Sequence, residues 1–425
     1  MIEALKNSPV GMIFILAGIG MIVYSLVKII IYFTVTKPKQ KGAEILAMFR
    51  KEYERLLPSL AFDAETIDVS GVPVEVRSTA DREKGRLDPR TEETGKMTRE
   101  EFKKNYSKLN PLLQPNEIHL FGPEDPENYT TLEYIRAQFG WVTPDLSSGI
   151  TETRKTIEGS RGEIEIYIYK ASSTDTERSC MVFFHGGGFF GGVIPTTENQ
   201  CKLLAQLSGG VVISVDYPLA PEYRFPAGLD ACYETVEWAY TNAKSLGISP
   251  QKIAVCGDSA GGNLALVSAI RARDEGKKYI SYMALIYPTV TRAHDETSEY
   301  YYFDKEAYLN PDNDPYITEQ ITAIAKSGDR LIDWYLEKDT DPMDPYVSPI
   351  VASFKGLPQA LVITAEYDYL RLECEALSRK LIAAGIKTRH IRYGGIVHGT
   401  FDRLGYAPQV EDMLREIAKD LRRLK

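Results

Sequence analysis

Between Ser179 and Pro288 the chain repeats one pattern, a short apolar run followed by a longer stretch of helical spacing. The runs "SCMVFF", "GVVISVDY", "KIAVCGD" and "SYMALIYP" read as buried strands, and 228–247 and 261–276 read as helices. Strand, helix, strand in regular alternation calls for a mostly parallel, doubly wound sheet. The pattern resumes downstream with "QALVITAEYD", a helix from about Leu372 to Ala384, the strand "KTRHIRYG" and a terminal helix ending in "LRRLK". Upstream, "TRKTIEG" and "EIEIYIYKA" alternate apolar and polar residues around a glycine-containing turn, which suggests an antiparallel pair. The interruption from Thr289 to about Val347 is long and Tyr-rich, as expected of a cap over a site.

Glycines cluster where two of the strands end. "FHGGGFFGG", Phe184 to Gly192, carries five glycines in nine residues. Packed elements avoid such a composition unless the backbone must take a positive φ or be approached closely. Backbone amides there serve an anionic phosphate or an oxyanion formed during reaction, the competing reading being a flexible turn. "VCGDSAGGN", Val255 to Asn263, places Gly257-x-Ser259-x-Gly261 between an apolar strand and a helix, the setting in which a sharp turn exposes a nucleophilic serine. A bare match of that kind arises by chance with a probability of about 0.1, so the strand–turn–helix context carries the argument. No G-x-x-x-x-G-K-[ST] or helix-opening G-x-G-x-x-G accompanies the glycines, which disfavours phosphate.

A serine hydroxyl needs a base, and the base an orienting acid. Of the five histidines, His119 precedes the sheet, His185 belongs to the glycine motif, His294 lies in the expected cap and His390 lies inside a strand. His398, in "GGIVHGTF", sits in a glycine-flanked loop after the last strand and is the expected base. "AEYDYLR" offers Glu366 and Asp368 as acids, with Asp368 further into the loop and preferred. The order Ser259, Asp368, His398 is that of α/β-hydrolases.

"HGGG", "DYPLAPEYRFPAGLDA", "GDSAGGN", "DPYVSPI", "LPQALVITAEYDYLR" and "VHGTF" together resemble the hormone-sensitive-lipase-like family of α/β-hydrolase esterases, over about Thr151 to Lys425. Two details depart from the family pattern: Tyr369 stands where Pro usually follows the acid, and the next helix opens with "RLE" rather than "RDE". The resemblance implies an α/β-hydrolase fold with a mostly parallel eight-stranded sheet flanked by helices and a helical cap; the transmembrane helix expected to precede it is read from the N-terminal sequence itself. It implies a serine carboxylic-ester hydrolase working through an acyl-enzyme on short- to medium-chain acyl or acetyl esters, with no metal or organic cofactor. It assigns the oxyanion donors to the N–H groups of Gly187, Gly188 and Ala260. His185, Gly186, Gly257, Asp258 and Gly261 would shape the motifs. Phe189, Tyr300, Tyr301 and Tyr302 are candidates to line a substrate pocket, and Trp334 and Tyr335 belong to the same aromatic group; a small aromatic core of the cap is the competing reading. Asp258 and Glu222 are read as braces, and Cys256 as a packed strand residue.

The N-terminus differs in kind. From Asn7 to Val27 no side chain is charged, and the apolar run resumes after Lys28, giving about 28 residues, enough to span a bilayer. The sequence thus divides into an anchor over 1–36, an amphipathic helix, charged linker and N-terminal cap region over 37–150, and a catalytic domain over 151–425 with a cap insertion at about 290–345. Ile45, Leu46, Phe49, Tyr53, Leu56 and Leu57 share helical spacing, and 81–104 is densely charged. Lys28, Lys37, Lys39 and Lys41 at or beyond the span favour a cytoplasmic catalytic domain. A similar anchor in the arylacetamide-deacetylase branch precedes a lumenal domain, and the sequons at Asn105 and Asn128 would matter there.

The balance of 50 basic against 59 acidic residues, net charge −9, argues against nucleic-acid binding. Five scattered cysteines without C-x-x-C spacing predict neither a disulfide framework nor a zinc site. The expected partners are a small ester, with lipophilic esters favoured by the anchor, and the membrane itself. Competing readings are a ligand-binding receptor similar to the plant gibberellin receptors, a membrane scaffold, and a peptidase or amidase using the same triad. The histidine base argues against the receptor, and the complete triad with its glycine loop against the scaffold. The peptidase is disfavoured only by the family resemblance.

Overall fold

A computed structural model describes residues 62–79, 132, 136, 139–140, 143–293 except 174 and 176, 297–302, 318, 321–322, 324, and 332–424 except 406. The expected anchor, the amphipathic helix from Ile45 to Leu57, the charged stretch 81–104, both sequons, His119 and His294 lie outside these residues. No helix among the described residues is long and apolar enough to cross a membrane.

Among the described residues ten strands form one sheet: β1 (Phe62–Val69), β2 (Val72–Thr79), β3 (Ile150–Gly159), β4 (Gly162–Ala171), β5 (Arg178–Phe184), β6 (Val211–Asp216), β7 (Ile248–Asp258), β8 (Tyr282–Ile286), β9 (Gln359–Tyr367) and β10 (Thr388–Val397). Their spatial order is β1-β2-β10-β9-β8-β7-β5-β6-β4-β3. The ladder from β2 through β6 is parallel. Antiparallel pairings close both edges.

The eight strands expected from the sequence correspond to β3–β10, and the hairpin β1–β2 is an addition in a region assigned to linker and cap. Val72, Val74 and Val76 alternate inward at 1%, 0% and 7% exposure, so β2 carries a half-buried strand pattern. Ser70 and Gly71 both have positive φ, 53° and 84°, the geometry of a two-residue hairpin turn that matches strand twist. The "SG" between two alternating runs was the legible signal.

Among the described residues, five helices of more than one turn cover the sheet: α1 (Ile194–Ser208), α2 (Ala227–Thr241), α3 (Ala260–Asp274), α4 (Arg371–Ala383) and α5 (Pro408–Leu421). On one face Leu203 and Leu204 of α1 and Val410, Met413, Leu414 and Ile417 of α5 pack on Met181, Phe183 and Val212. On the other, Leu229 and Val236 of α2, Leu264 of α3 and Leu377 of α4 pack on Val182, Ile213 and Val255. Every residue of β5 is therefore buried, alternate side chains serving opposite layers, which explains its unbroken apolar run. The helix read over 228–247 ends its main run at Thr241 and restarts for one turn at Ala243.

Candidate active site

The parallel strands end along one rim, and the candidate residues stand in the loops there, the usual place for ligands in an open α/β sheet. Ser259 occupies the single-residue turn between β7 and α3 with φ 55° and ψ −117°. A non-glycine residue at positive φ is strained, and such strain at a strand–helix turn thrusts the side chain away from the sheet. Gly261 is required on steric grounds, because a Cβ there would overlap the Phe184 carbonyl. The turn is held by Ser259 N–H donating to the Ile286 carbonyl at 2.9 Å and by Asn263 N–H donating to the Ser259 carbonyl at 3.1 Å.

His398 follows the last residue of β10, and its Nε2 lies 2.9 Å from Ser259 Oγ. Its Nδ1 lies 2.8 Å from Asp368 Oδ2. Asp368, the first residue after β9, is 0% exposed, and its Oδ1 accepts the Leu370 N–H at 2.8 Å. Burial by itself would lower the His398 pKa, but the adjacent Asp368 carboxylate outweighs it and raises the value above 6.5. The alternative acid, Glu366, turns elsewhere and accepts the Gly395 N–H at 2.7 Å.

The glycine loop is built by its own backbone. Gly187 and Gly188 have φ of 125° and 63°, and the Gly187 carbonyl accepts N–H groups of Phe190 and Gly191 at 3.2 and 2.8 Å. Gly186 N–H donates to Asp258 Oδ1 at 2.9 Å, which ties this loop to the serine turn. Burial raises the Asp258 pKa to about 6. His185 is fully buried, stacked on Tyr217 at 4.3 Å, with Nδ1 2.8 Å from the Gly186 carbonyl. Burial lowers its pKa to about 4, so it is a neutral loop-shaping group. Ala260 begins α3, where helical N–H groups lack intrahelical partners.

The aromatic candidates are dispersed. Phe189 is 3% exposed and stacks face to face on Tyr335 at 3.9 Å, so it packs between loop and cap rather than walling an open pocket. Tyr300 and Tyr302 pack half-buried against the core, with the Lys380 ammonium 5.9 Å from the Tyr300 ring centroid. Tyr301 is also half-buried. A cavity of about 420 Å³ borders the end of the glycine loop, lined by Arg136, Phe139, Gly192, Val193, Thr196, Leu219, Glu222 and Tyr223. Glu222 there binds Arg136 at 2.6 and 2.8 Å, and Arg136 reaches the Phe190 and Ala220 carbonyls. Among the described residues no cluster of His, Cys, Asp and Glu could hold a metal ion. Cys256 is buried in β7.

Three neighbours of the site had escaped sequence reading. Tyr287 packs its ring 4.8 Å from that of His398 and accepts the Phe401 N–H at 2.8 Å. Glu373, the acid of "RLE", accepts the Val290 N–H at 2.7 Å, and burial raises its pKa to about 7. Arg292 lies buried beside it. Only the tertiary contact distinguishes these side chains from others of their type.

The family model for the alpha/beta hydrolase fold matches residues 181–402, and the chain belongs to that family. An arylesterase of Saccharolobus solfataricus is 33% identical over 261 residues, 61% of this chain and 80% of that protein. A carboxylesterase of Mycobacterium tuberculosis is 32% identical over 241 residues, 56% of this chain and 71% of that protein. Among solved structures, the hyperthermophilic esterase of Pyrobaculum calidifontis superposes with a TM-score of 0.60 at 33% identity, covering 69% of this chain and 93% of that one.

Proposed function

We propose that the chain cleaves short- to medium-chain acyl or acetyl esters with Ser259 as nucleophile, His398 as general base and acid, and Asp368 as the group that orients and stabilises the imidazolium. That it is a serine carboxylic-ester hydrolase follows from its family and from relatives named arylesterase and carboxylesterase. The observation that carries the assignment of roles is the continuous chain from Ser259 Oγ through His398 to Asp368, at 2.9 and 2.8 Å.

Ser259 Oγ attacks the ester carbonyl while His398 Nε2 accepts its proton. The oxygen that becomes negative is received by the N–H groups of Gly187, Gly188 and Ala260. Losing one such donor in other serine hydrolases costs about 3 to 4 kcal/mol of transition-state stabilisation. His398 then returns the proton to the departing alcohol, and water, activated by the same imidazole, hydrolyses the acyl-enzyme.

The anchor over 1–36 and a cytoplasmic catalytic domain are part of the same proposal, supported by the charge-free run from Asn7 to Val27 and the lysines that follow it. An anchored enzyme meets lipophilic esters at the membrane surface. The test of the catalytic reading is hydrolysis of p-nitrophenyl esters of increasing chain length by the full chain and by Ser259→Ala. Activity lost only in the variant supports the assignment; equal rates in both would overturn it.

A further inference from the structure

Arg292 is a buried cation for which the mechanism above has no task. It lies just past β8, and only 8% of the residue is exposed. Its guanidinium carbon sits 5.6 Å from the ring centroid of Phe189, the residue that follows Gly187 and Gly188 in the glycine loop. Phe189 in turn stacks on Tyr335. The backbone just before Arg292 is fastened to the candidate site: Thr289 N–H donates to the Ser259 carbonyl at 3.3 Å, and Val290 N–H to Glu373 at 2.7 Å. Among the described residues the titratable groups that act electrostatically on the guanidinium are Glu373, Tyr335 and Tyr369.

Among the described residues the guanidinium donates no hydrogen bond, and no carboxylate forms an ion pair with it within 4.0 Å. The Tyr335 hydroxyl, also buried, lacks a partner among them too. A largely buried guanidinium whose five N–H donors meet no acceptor among the described residues, beside a hydroxyl shut off from water without one, is costly, and an arriving acceptor offsets that cost. A role as mere counter-charge to Glu373 fits poorly, because that carboxyl is already engaged by Val290 N–H and out of ion-pair reach.

We propose that Arg292, with the Tyr335 hydroxyl, binds a free carboxylate carried by the substrate, so that the enzyme prefers esters bearing a second, ionised acid group. The planar guanidinium matches a carboxylate through two parallel N–H···O bonds, which a neutral alkyl chain cannot offer. This rests on the ester-hydrolase reading and narrows its substrate class.

The test compares two pairs that differ by a methyl group in place of a carboxylate: p-nitrophenyl hexanoate with the mono-p-nitrophenyl ester of adipic acid, and 4-methylphenyl acetate with 4-carboxyphenyl acetate. The first pair places the acid on the acyl side and the second on the alcohol side. Relative to uncatalysed hydrolysis of the same ester, the full-length protein should show a higher kcat/KM for the acidic member of at least one pair. Arg292→Met should lower that value about tenfold or more while the neutral partner changes by no more than about twofold. No preference in the wild type, or an equal fall for both members in the variant, overturns the inference while leaving the hydrolase reading intact. Inactivity of the wild type on all four esters overturns both. The wild-type comparison decides the question even if Arg292→Met does not fold.

Discussion

At the level of single residues, the assignment depends on one imidazole held between a hydroxyl and a buried carboxylate. Ser259→Ala should leave the fold intact and lower kcat by about 10⁴-fold or more, read from p-nitrophenyl ester turnover beside an unchanged circular dichroism spectrum. The pH profile supplies a separate check. His398 must be neutral to accept the serine proton, and the Asp368 carboxylate raises its pKa above 6.5 against the opposing effect of burial. The rate should therefore rise with pH through a midpoint above 6.5. In Asp368→Asn the charge that raises the value is gone, so the midpoint should move to lower pH while the plateau falls about 10⁴-fold. A midpoint unmoved by that substitution would argue against the pairing.

Elements set where those residues stand. β7 and α3 meet in a turn so tight that Gly261 has no room for a methyl group, the Phe184 carbonyl occupying the position. Gly261→Ala should force the serine turn and the glycine loop apart, lowering stability by about 1 to 3 kcal/mol. It should also depress kcat far more than KM; both follow from urea unfolding and steady-state kinetics. At the sheet edge, the β1–β2 hairpin buries Val74 completely against α4, with Ile382 among its neighbours. Val74→Asp should place an unpaired carboxylate in that contact and lower the urea midpoint, whereas the same change at exposed Glu65 should not. Equal midpoints for the two variants would mean that the hairpin adds nothing to the sheet's stability.

Across the whole molecule, the early hairpin and the C-terminal helix are joined by charge. Arg77 on β2 binds Asp412 at 2.6 Å and Glu416 at 3.2 Å on α5, and Arg389 on β10 binds Asp420 at 2.8 Å and Glu416 at 2.5 Å. The carboxylates of Asp412 and Glu416 are 15% and 8% exposed, so removing Arg77 leaves them partly buried and short of a partner. Arg77→Met should cost about 1 to 2 kcal/mol after allowance for solvent screening, with the deficit shrinking at high salt. A loss that is independent of salt would point to packing by the arginine stem instead.

The chemistry was legible in the sequence wherever a motif is a consequence of local sterics. "GDSAGGN" dictates the serine turn because only glycine fits at Gly261. "HGGG" declares a bare backbone, and the loop positions of Asp368 and His398 follow from the strands that precede them. Unbroken apolar runs likewise announced a sheet covered on both faces, and periodicity sufficed for that because burial is a property of each strand by itself. What no linear pattern encodes is which side chains meet across layers. The isolation of Arg292 over Phe189, the reach of Glu373 back to Val290, and Arg77 bound to a helix more than 300 residues away arise only when distant segments share one core. Electrostatics and hydrogen bonding act through space, so the sequence by itself determined the candidate residues and the turns that carry them, while the tertiary structure decided the surroundings in which they stand.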